Sequence, residues 1–124
     1  MTSALGHVLE LPDARLLFAK RLREARLAAD LTQEALGVAA GLSVDVARVR
    51  INRYEKGGRE CDLRTARRLA DALGLPLPAL FTDEDDLVEM IIFYSKLSTR
   101  QRQLMLAHFK GYFSKEKPDQ EKGD

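Results

Sequence analysis

Cysteine is almost absent from this sequence of 124 residues, and tryptophan is missing altogether. The one cysteine, Cys61, excludes an internal disulfide and a cysteine-rich zinc site, which is typical of a reducing, intracellular setting. No apolar run approaches the roughly 18 residues that span a bilayer. The first residues, MTSALGHVLELPDAR, lack the basic start and apolar stretch of a secretory signal. We therefore expect a cytoplasmic protein that makes no use of a membrane.

A large excess of charge of one sign is also missing, since 20 Lys/Arg and 19 Asp/Glu leave a net charge of +1. The charges are unevenly placed: residues 15–68 hold 13 basic and 7 acidic side chains, whereas residues 69–124 hold 7 and 10. A basic surface attracts phosphate backbones because binding releases condensed counterions. A solvated surface with chance clustering would give the same counts, so charge alone leaves both interpretations open.

Alternation of apolar and polar residues with period two is missing as well, and helix signals take its place. The sequence therefore predicts an all-α fold. Capping side chains and terminating glycines bound five short helices: 14–29 behind Asp13, 32–41 between Thr32 and Gly41, 43–55 capped by Ser43 or Asp45, 63–73 between Asp62 and Gly74, and 77–81 behind Pro76. Two capping boxes, Thr82 with Asp85 and Ser98 with Gln101, predict two more helices at about 83–96 and 99–113.

Three segments of this pattern carry a family resemblance: RLREARLAADLTQEALGVAAGLS (21–43), INRYEKG (51–57) and LRTARRLADALGLPLPALF (63–81). In this order they resemble the λ repressor/Cro-like helix-turn-helix family, often called XRE, over nearly all of residues 15–81. The resemblance implies a five-helix DNA-binding bundle at 13–81, whose second helix crosses the phosphate backbone and whose third lies in the major groove. Residues 115–124 are charged and have no apolar anchor, so we expect them to be disordered.

The third helix departs from the family pattern by being longer. Its span from Ser43 to Glu55 exceeds the usual one by about four residues, which adds close to one turn without rotating the inner side away from the core. A helical wheel places four residues on the inner side: Val44, Ala47, Ile51 and Tyr54. The outer side then carries Asp45, Val46, Val49, Asn52 and Arg53. Glu55 is predicted to pair with Arg21 or Arg23 of the first helix.

The outer side of the third helix is predicted to contact DNA. Asn52 suits an adenine edge, Arg53 a guanine edge and Val49 a thymine methyl group, while Arg48 and Arg50 flank them towards the phosphates. The resemblance adds Gln33, which in the family commonly touches the backbone and braces the third helix. The full predicted DNA-binding set is Thr32, Gln33, Ser43, Arg48, Val49, Arg50, Asn52, Arg53, Lys56 and Arg59.

Plainer interpretations exist for several of these residues. Arginines on a surface helix are often only solvated charge, and Thr32 and Gln33 at a helix N-terminus could serve capping alone. Asp45 would be repelled by phosphates, so it serves either as a helix cap or as an acceptor for a cytosine amine.

The predicted C-terminal segment, 82–114, holds more apolar surface than two helices in a small protein can cover. We expect the surplus to be buried in a second copy of the chain. The predicted homodimer contacts are Leu87, Met90, Ile91, Phe93, Tyr94, Leu104, His108, Phe109 and Tyr112. Two alternatives are that both helices wrap the N-terminal bundle, and that their aromatic residues line a small-molecule pocket, so an effector is not excluded.

No catalytic set emerges from the sequence. His7 and His108 stand far apart, no histidine–carboxylate cluster suggests a metal, and no glycine-rich phosphate loop is present. We expect neither enzymatic activity nor a cofactor. The resulting hypothesis is a sequence-specific transcriptional regulator, a repressor that binds double-stranded DNA at a pseudo-palindromic operator as a homodimer. The main alternative is a helix-turn-helix interaction module, an antitoxin or adaptor whose C-terminal helices bind another protein.

Overall fold

The computed structural model describes residues 13–115, and every regular element in that range is a helix. The elements are α1 (Ala14–Ala28), α2 (Gln33–Ala39), α3 (Val44–Glu55), α4 (Leu63–Leu73), a short 3-10 helix (Leu77–Phe81), α5 (Asp85–Ser95) and α6 (Thr99–Ser114). The predicted all-α fold is confirmed. Two compact units divide after Ile92. His7, and all of the predicted tail except Lys115, lie outside the described residues.

Local capping chemistry sets most of the helix starts. The side chains of Asp13, Thr32, Asp62 and Ser98 each accept a hydrogen bond from a backbone N–H in the first turn of the helix that follows. Such bonds satisfy donors that the helix itself leaves unpaired. The predicted capping box of Ser98 with Gln101 is present in both directions. The helices therefore begin where short polar side chains can serve their free N–H groups.

The predicted capping box of Thr82 with Asp85 was wrong. The Thr82 hydroxyl donates backwards to the Pro78 carbonyl oxygen at 2.6 Å, and the Asp85 carboxylate accepts from Arg21 at 2.9 Å. Because both side chains are engaged elsewhere, α5 begins at Asp85 rather than at 83. The Arg21 guanidinium also holds the pKa of the Asp85 carboxyl below its usual range.

Arg21 is the buried charged residue that ties α1 to this segment within the first unit. Only 6% of it is exposed. Its Nε donates to the Thr82 carbonyl oxygen at 2.8 Å and its Nη2 to that of Asp83 at 2.7 Å, while Nη1 faces Glu24 and Asp85. A buried guanidinium is tolerated because its donors are paired in this way. Arg21 is thus committed to the chain after the 3-10 helix, and not to α3.

The core of the first unit lies between α1, α2, α3, α4 and the 3-10 helix. Its largest fully buried side chains are Leu22, Leu36, Ile51, Tyr54, Leu69 and Leu80. Each element contributes to this one cluster, so the inner side of α3 is held from several directions. A close-packed interior of this kind leaves little freedom for rotation of a helix about its axis. The outer side of α3 is therefore presented in a fixed orientation.

A glycine permits the close crossing of α2 and α3. A Cβ atom added to Gly37 would lie 2.7 Å from the Cβ of Ala47, which is closer than real side chains approach. The turn between the helices also requires glycine, since Gly41 has a φ of +94°, a value that costs other residues strain. Together, Gly37 and Gly41 let α2 turn tightly into α3 and pack directly against its backbone.

The second unit is described by residues 93–115. The Arg102 guanidinium donates to the carbonyl oxygens of Tyr94 and Ser95 at 3.1 and 2.8 Å and stacks over the Tyr94 ring at 4.9 Å. These bonds hold the Arg102 side chain against the C-terminal end of α5, where the Tyr94 carbonyl oxygen also accepts the Leu97 N–H at 3.1 Å. The Tyr112 and Phe113 rings meet edge to face at 4.8 Å, yet no residue of α6 is buried.

Candidate nucleic-acid interface

Helix α3 is continuous over its 12 residues, which corresponds to a rod about 18 Å long. Ala47, Ile51 and Tyr54 are buried on its inner side, as the helical wheel predicts. Val44 was wrongly assigned to that side, because 63% of it is exposed. Val44 is the first residue of α3. Its wheel position is on the inner side, but the core does not extend to this end of the helix. The inner side of α3 is thus anchored from Ala47 onward.

The C-terminal end of α3 is held by a buried ion pair. Glu55 pairs with Arg26, and not with Arg21 or Arg23 as the sequence predicted. The Arg26 Nε and Nη2 donate to the two Glu55 carboxylate oxygens at 2.6 and 3.0 Å, and Nη1 donates to the Leu31 carbonyl oxygen at 2.9 Å. The hydrogen bond with Glu55 raises the pKa of the Arg26 guanidinium. Arg26 lies more than one helical turn after Arg21 on α1. The position of α3 along the axis of α1 therefore determines which arginine pairs with Glu55.

Gln33 connects this buried pair to the edge of the outer face. Its Nε2 donates to the Glu55 carboxylate at 3.1 Å and to the Asn52 Oδ1 at 3.2 Å. The first residue of α2 therefore braces α3, as the family resemblance implied. The same bond turns the Asn52 oxygen towards Gln33, so that its amide N–H groups are left as the donors for a ligand.

Six residues line one shallow depression on the outer face of α3: Asp45, Val46, Val49, Arg50, Arg53 and Arg59. We call this depression the arginine pocket. Four of its members belong to the predicted DNA-binding set, and Asp45 and Val46 join them. Arg59 reaches it from the turn after α3, and the Arg50 Nη1 lies 3.5 Å from the Tyr54 hydroxyl. The lining combines three guanidinium groups and one carboxylate with two valines, so it carries a net positive charge and some apolar surface.

The remaining predicted residues lie outside the arginine pocket. Arg48, Lys56 and Ser43 are exposed, and the Ser43 side chain makes no capping bond. Thr32 is exposed too, but its hydroxyl accepts the Ala35 N–H at 3.0 Å, so it serves α2 directly. Asp45 and Val46 are the two pocket members that the predicted DNA-binding set left out, although the helical wheel placed both on the outer side.

Cys61 lies beside this surface, half-buried between α3 and α4. Burial is the main cause that raises the pKa of its thiol to about 11. The reactive thiolate is therefore scarce at neutral pH. The surroundings of Cys61 therefore do not support a redox switch at this residue.

Comparison with known proteins identifies the family to which this helical arrangement belongs. A helix-turn-helix family model matches residues 22–80. The chain is also similar to a crystal structure of the transcriptional regulator BswR, with 30% sequence identity and a TM-score of 0.69, covering 75% of this chain and 92% of that one. The chain belongs to the XRE family of helix-turn-helix proteins. In this XRE-family protein, α2 and α3 are the two helices of the motif. A search of the curated proteins gave no match.

The described residues of this helix-turn-helix protein contain neither a candidate membrane span nor a candidate metal site. Between residues 13 and 115, no helix combines the length and the apolarity that crossing a membrane requires. Over the same range, histidine, cysteine and carboxylate side chains form no group of three that could hold a metal ion. His108 is exposed on α6, with its ring 6.2 Å from that of Phe109.

Proposed function

We propose that this helix-turn-helix protein is a sequence-specific transcriptional regulator, a repressor that binds a pseudo-palindromic operator as a homodimer in the cytoplasm. The observation that carries the proposal is the two-sided character of α3, which buries Ala47, Ile51 and Tyr54 and turns the arginine pocket outward. Family membership and a regulator as structural neighbour support a DNA-binding regulator as the class. The protein acts by binding alone, without catalysis or a cofactor.

The proposed contacts follow from side-chain chemistry. Arg53 donates in pairs to guanine, and the Asn52 amide, held by Gln33, contacts adenine. Arg48, Arg50, Lys56 and Arg59 neutralise phosphates on either side of the groove, joined by Thr32, Gln33 and Ser43 at the ends of α2 and α3. The added turn lengthens α3, which is continuous from Val44 to Glu55, and so lengthens the row of donors along the groove. Repression needs only occupancy of the operator, which this arrangement provides.

The proposed dimer rests on α5 and α6. Neither helix has a buried residue, although large apolar side chains run along both. Seven of the predicted dimer contacts are exposed: His108 and six large apolar side chains, Leu87, Met90, Phe93, Leu104, Phe109 and Tyr112. Monomeric soluble proteins rarely leave large apolar patches uncovered. A second copy would cover these side chains and would set two α3 helices about one DNA turn, roughly 34 Å, apart.

Base contacts and phosphate contacts are separable by substitution. The probe is a duplex recovered from a random-sequence pool, bound by the full chain at several salt concentrations. Arg53→Ala or Asn52→Ala should cost about 1–3 kcal/mol and relax sequence preference, whereas Arg48→Ala should weaken binding to all sequences alike and lower the salt slope by about 1. The dissociation constants for selected and scrambled duplexes give both quantities.

The matched control for these substitutions is Arg100→Ala, an exposed arginine on α6 that should change neither quantity. If Arg53→Ala and Asn52→Ala both keep the selectivity of the wild type, the proposed base contacts are wrong. If no duplex binds with an affinity that falls as salt rises, the proposed function itself fails.

A further inference from the structure

A cleft of about 360 Å³ lies beside α1 in the first unit. The described residues that line it belong to α1, the end of α4, the turn after α4, the 3-10 helix and α5, and to neither helix of the motif. Ala79 and Leu80 in this lining are core residues, 2% and 0% exposed, whereas Ala28 and Ala29 are exposed. The cleft therefore reaches from the solvent to the core. We call it the alanine cleft, since four of its lining residues are alanines.

Arg21 and Glu24 are the polar members of the described lining, which otherwise consists of the alanines and of larger apolar side chains such as Leu73 and Ile92. The Arg21 Nη1 lies 3.3 Å from a Glu24 carboxylate oxygen and 2.9 Å from one of Asp85. Its Nε and Nη2 donate to backbone carbonyl oxygens. One guanidinium is thus shared by two carboxylates, which leaves the group with an excess of negative charge.

Glu24 is the carboxylate of this group that can take a further partner. Its distance to Arg21 is the longer of the two, and its side chain is 54% exposed. An ionised carboxylate has about four lone-pair sites, so the contact with Arg21 leaves most of its accepting capacity unused. The alanine cleft therefore presents one hydrogen-bond acceptor with a negative charge beside a largely apolar surface.

We propose that the alanine cleft binds a small molecule with an apolar body and one ammonium group, whose N–H groups donate to the Glu24 carboxylate. The volume of the cleft falls in the range of about 300–1,000 Å³ that is typical of small-molecule sites. Burial of the apolar body in the cleft removes its surface from water. An anionic group would meet the excess negative charge, and Arg21 already donates to acceptors of the protein itself.

A peptide segment fits the same cleft less well. Each residue of a peptide brings a backbone N–H and a C=O group that require partners when they are buried. Two polar side chains in the described lining, one of them engaged by the chain after the 3-10 helix, could satisfy few of these groups. A compact amine needs the single acceptor that Glu24 offers.

The probes for this site are naphthylmethylamine and adamantylmethylamine, each compared with the alcohol and the carboxylate that carry the same ring. Each amine should bind the full chain about tenfold more tightly than its alcohol, because its hydrogen bond to Glu24 is charge-assisted, and the carboxylates should bind most weakly. Calorimetric titration gives the dissociation constants. Methyl NMR spectra should show the signals of Leu73, Val88 and Ile92 shifting on addition of amine.

Two substitutions separate the charge from the apolar surface. Glu24→Gln keeps an acceptor for Arg21 and should reduce the affinity for the amines to that for the alcohols. Ala28→Leu should weaken the binding of amines and alcohols alike by about tenfold, because its larger side chain occupies part of the cleft. The matched control is Glu34→Gln, which neutralises an exposed carboxylate on α2 and should keep the full preference for amines. All three variants replace exposed residues, so their thermal unfolding should match that of the wild type.

The inference is overturned if neither amine binds the wild type, or if Glu24→Gln or Ala28→Leu binds the amines as tightly as the wild type does. Methyl signals of the cleft that shift with protein concentration alone would show a second copy in the cleft, which also overturns the inference. The inference goes beyond the proposed function, and its test uses no DNA. Its failure therefore leaves the proposed function standing.

Discussion

Replacement of Arg26 by methionine should lower the free energy of unfolding by about 3–5 kcal/mol, because it leaves a buried carboxylate without its partner. The Glu55 side chain is only 3% exposed, and two of its hydrogen bonds come from Arg26. Small domains have a total stability of about 5–15 kcal/mol, so a loss of this size removes a large share of it and shifts the urea midpoint. Urea titration followed by circular dichroism measures the change.

The double variant Arg26→Met/Glu55→Leu separates the cost of a stranded charge from the loss of packing. Since apolar side chains can replace a buried pair at little cost, the double variant should regain most of the stability. The control is Arg15→Met, which breaks the exposed pair of Arg15 with Asp13 at 3.4 Å and should change stability by less than about 1 kcal/mol. A single Arg26→Met variant as stable as Arg15→Met would contradict the role given to this pair.

Phe109→Glu should convert the proposed dimer to a monomer and weaken operator binding by about 10²- to 10⁴-fold, because the two half-sites would then be bound independently. The phenyl ring is 40% exposed on α6, so the new carboxylate remains solvated in the monomer but would be buried in a dimer. Sedimentation gives the oligomeric state, and a titration with a two-half-site duplex gives the affinity. The matched control is Gln103→Glu, which adds the same charge at an exposed position of the same helix.

A point substitution is a better test of the dimer than truncation after Phe81. Truncation would remove the carbonyl oxygens of Thr82 and Asp83, which accept hydrogen bonds from the buried Arg21, and the bundle would suffer for that reason alone. A wild-type chain that sediments as a monomer and still binds the operator tightly would refute the dimer. The uncovered apolar side chains of α5 and α6 would then belong to an interface with another protein, as in the adaptor alternative.

Capping and termination were predictable from the sequence because they depend on neighbours within a few residues. Asp62 caps α4 and Gly74 ends it at a φ of +68°, and both roles follow from local chemistry. Thr82 shows the limit of such reasoning: its hydroxyl donates to the Pro78 carbonyl, which holds the side chain towards the 3-10 helix instead of towards the first N–H groups of α5. A capping motif predicts a helix start only when no competing partner is nearby.

The sequence predicted which side of α3 faces outward, but it did not predict the side-chain contacts that hold this face in place. Periodicity alone gave the inner and outer sides of α3, since it depends only on helix geometry. The partner of Glu55 required the axial offset between α1 and α3, which tertiary packing sets. Packing also explains the exposure of Val44, because a helical wheel assumes that the core covers every turn of the helix. The bond from Gln33 to Asn52 depends on the angle between α2 and α3, which the pattern does not contain.

The most direct test of the central claim, that the outer face of α3 lies in the major groove, is a site-specific disulfide cross-link. In a Cys61→Ser background, Val49→Cys is mixed with the selected duplex carrying a thiol tether on the major-groove edge of one base, at a thiol–disulfide equilibrium that favours only nearby pairs. The control is Leu27→Cys, an exposed position on α1. The account predicts a cross-link from residue 49 and none from residue 27; equal cross-linking of the two, or none from residue 49, would contradict it.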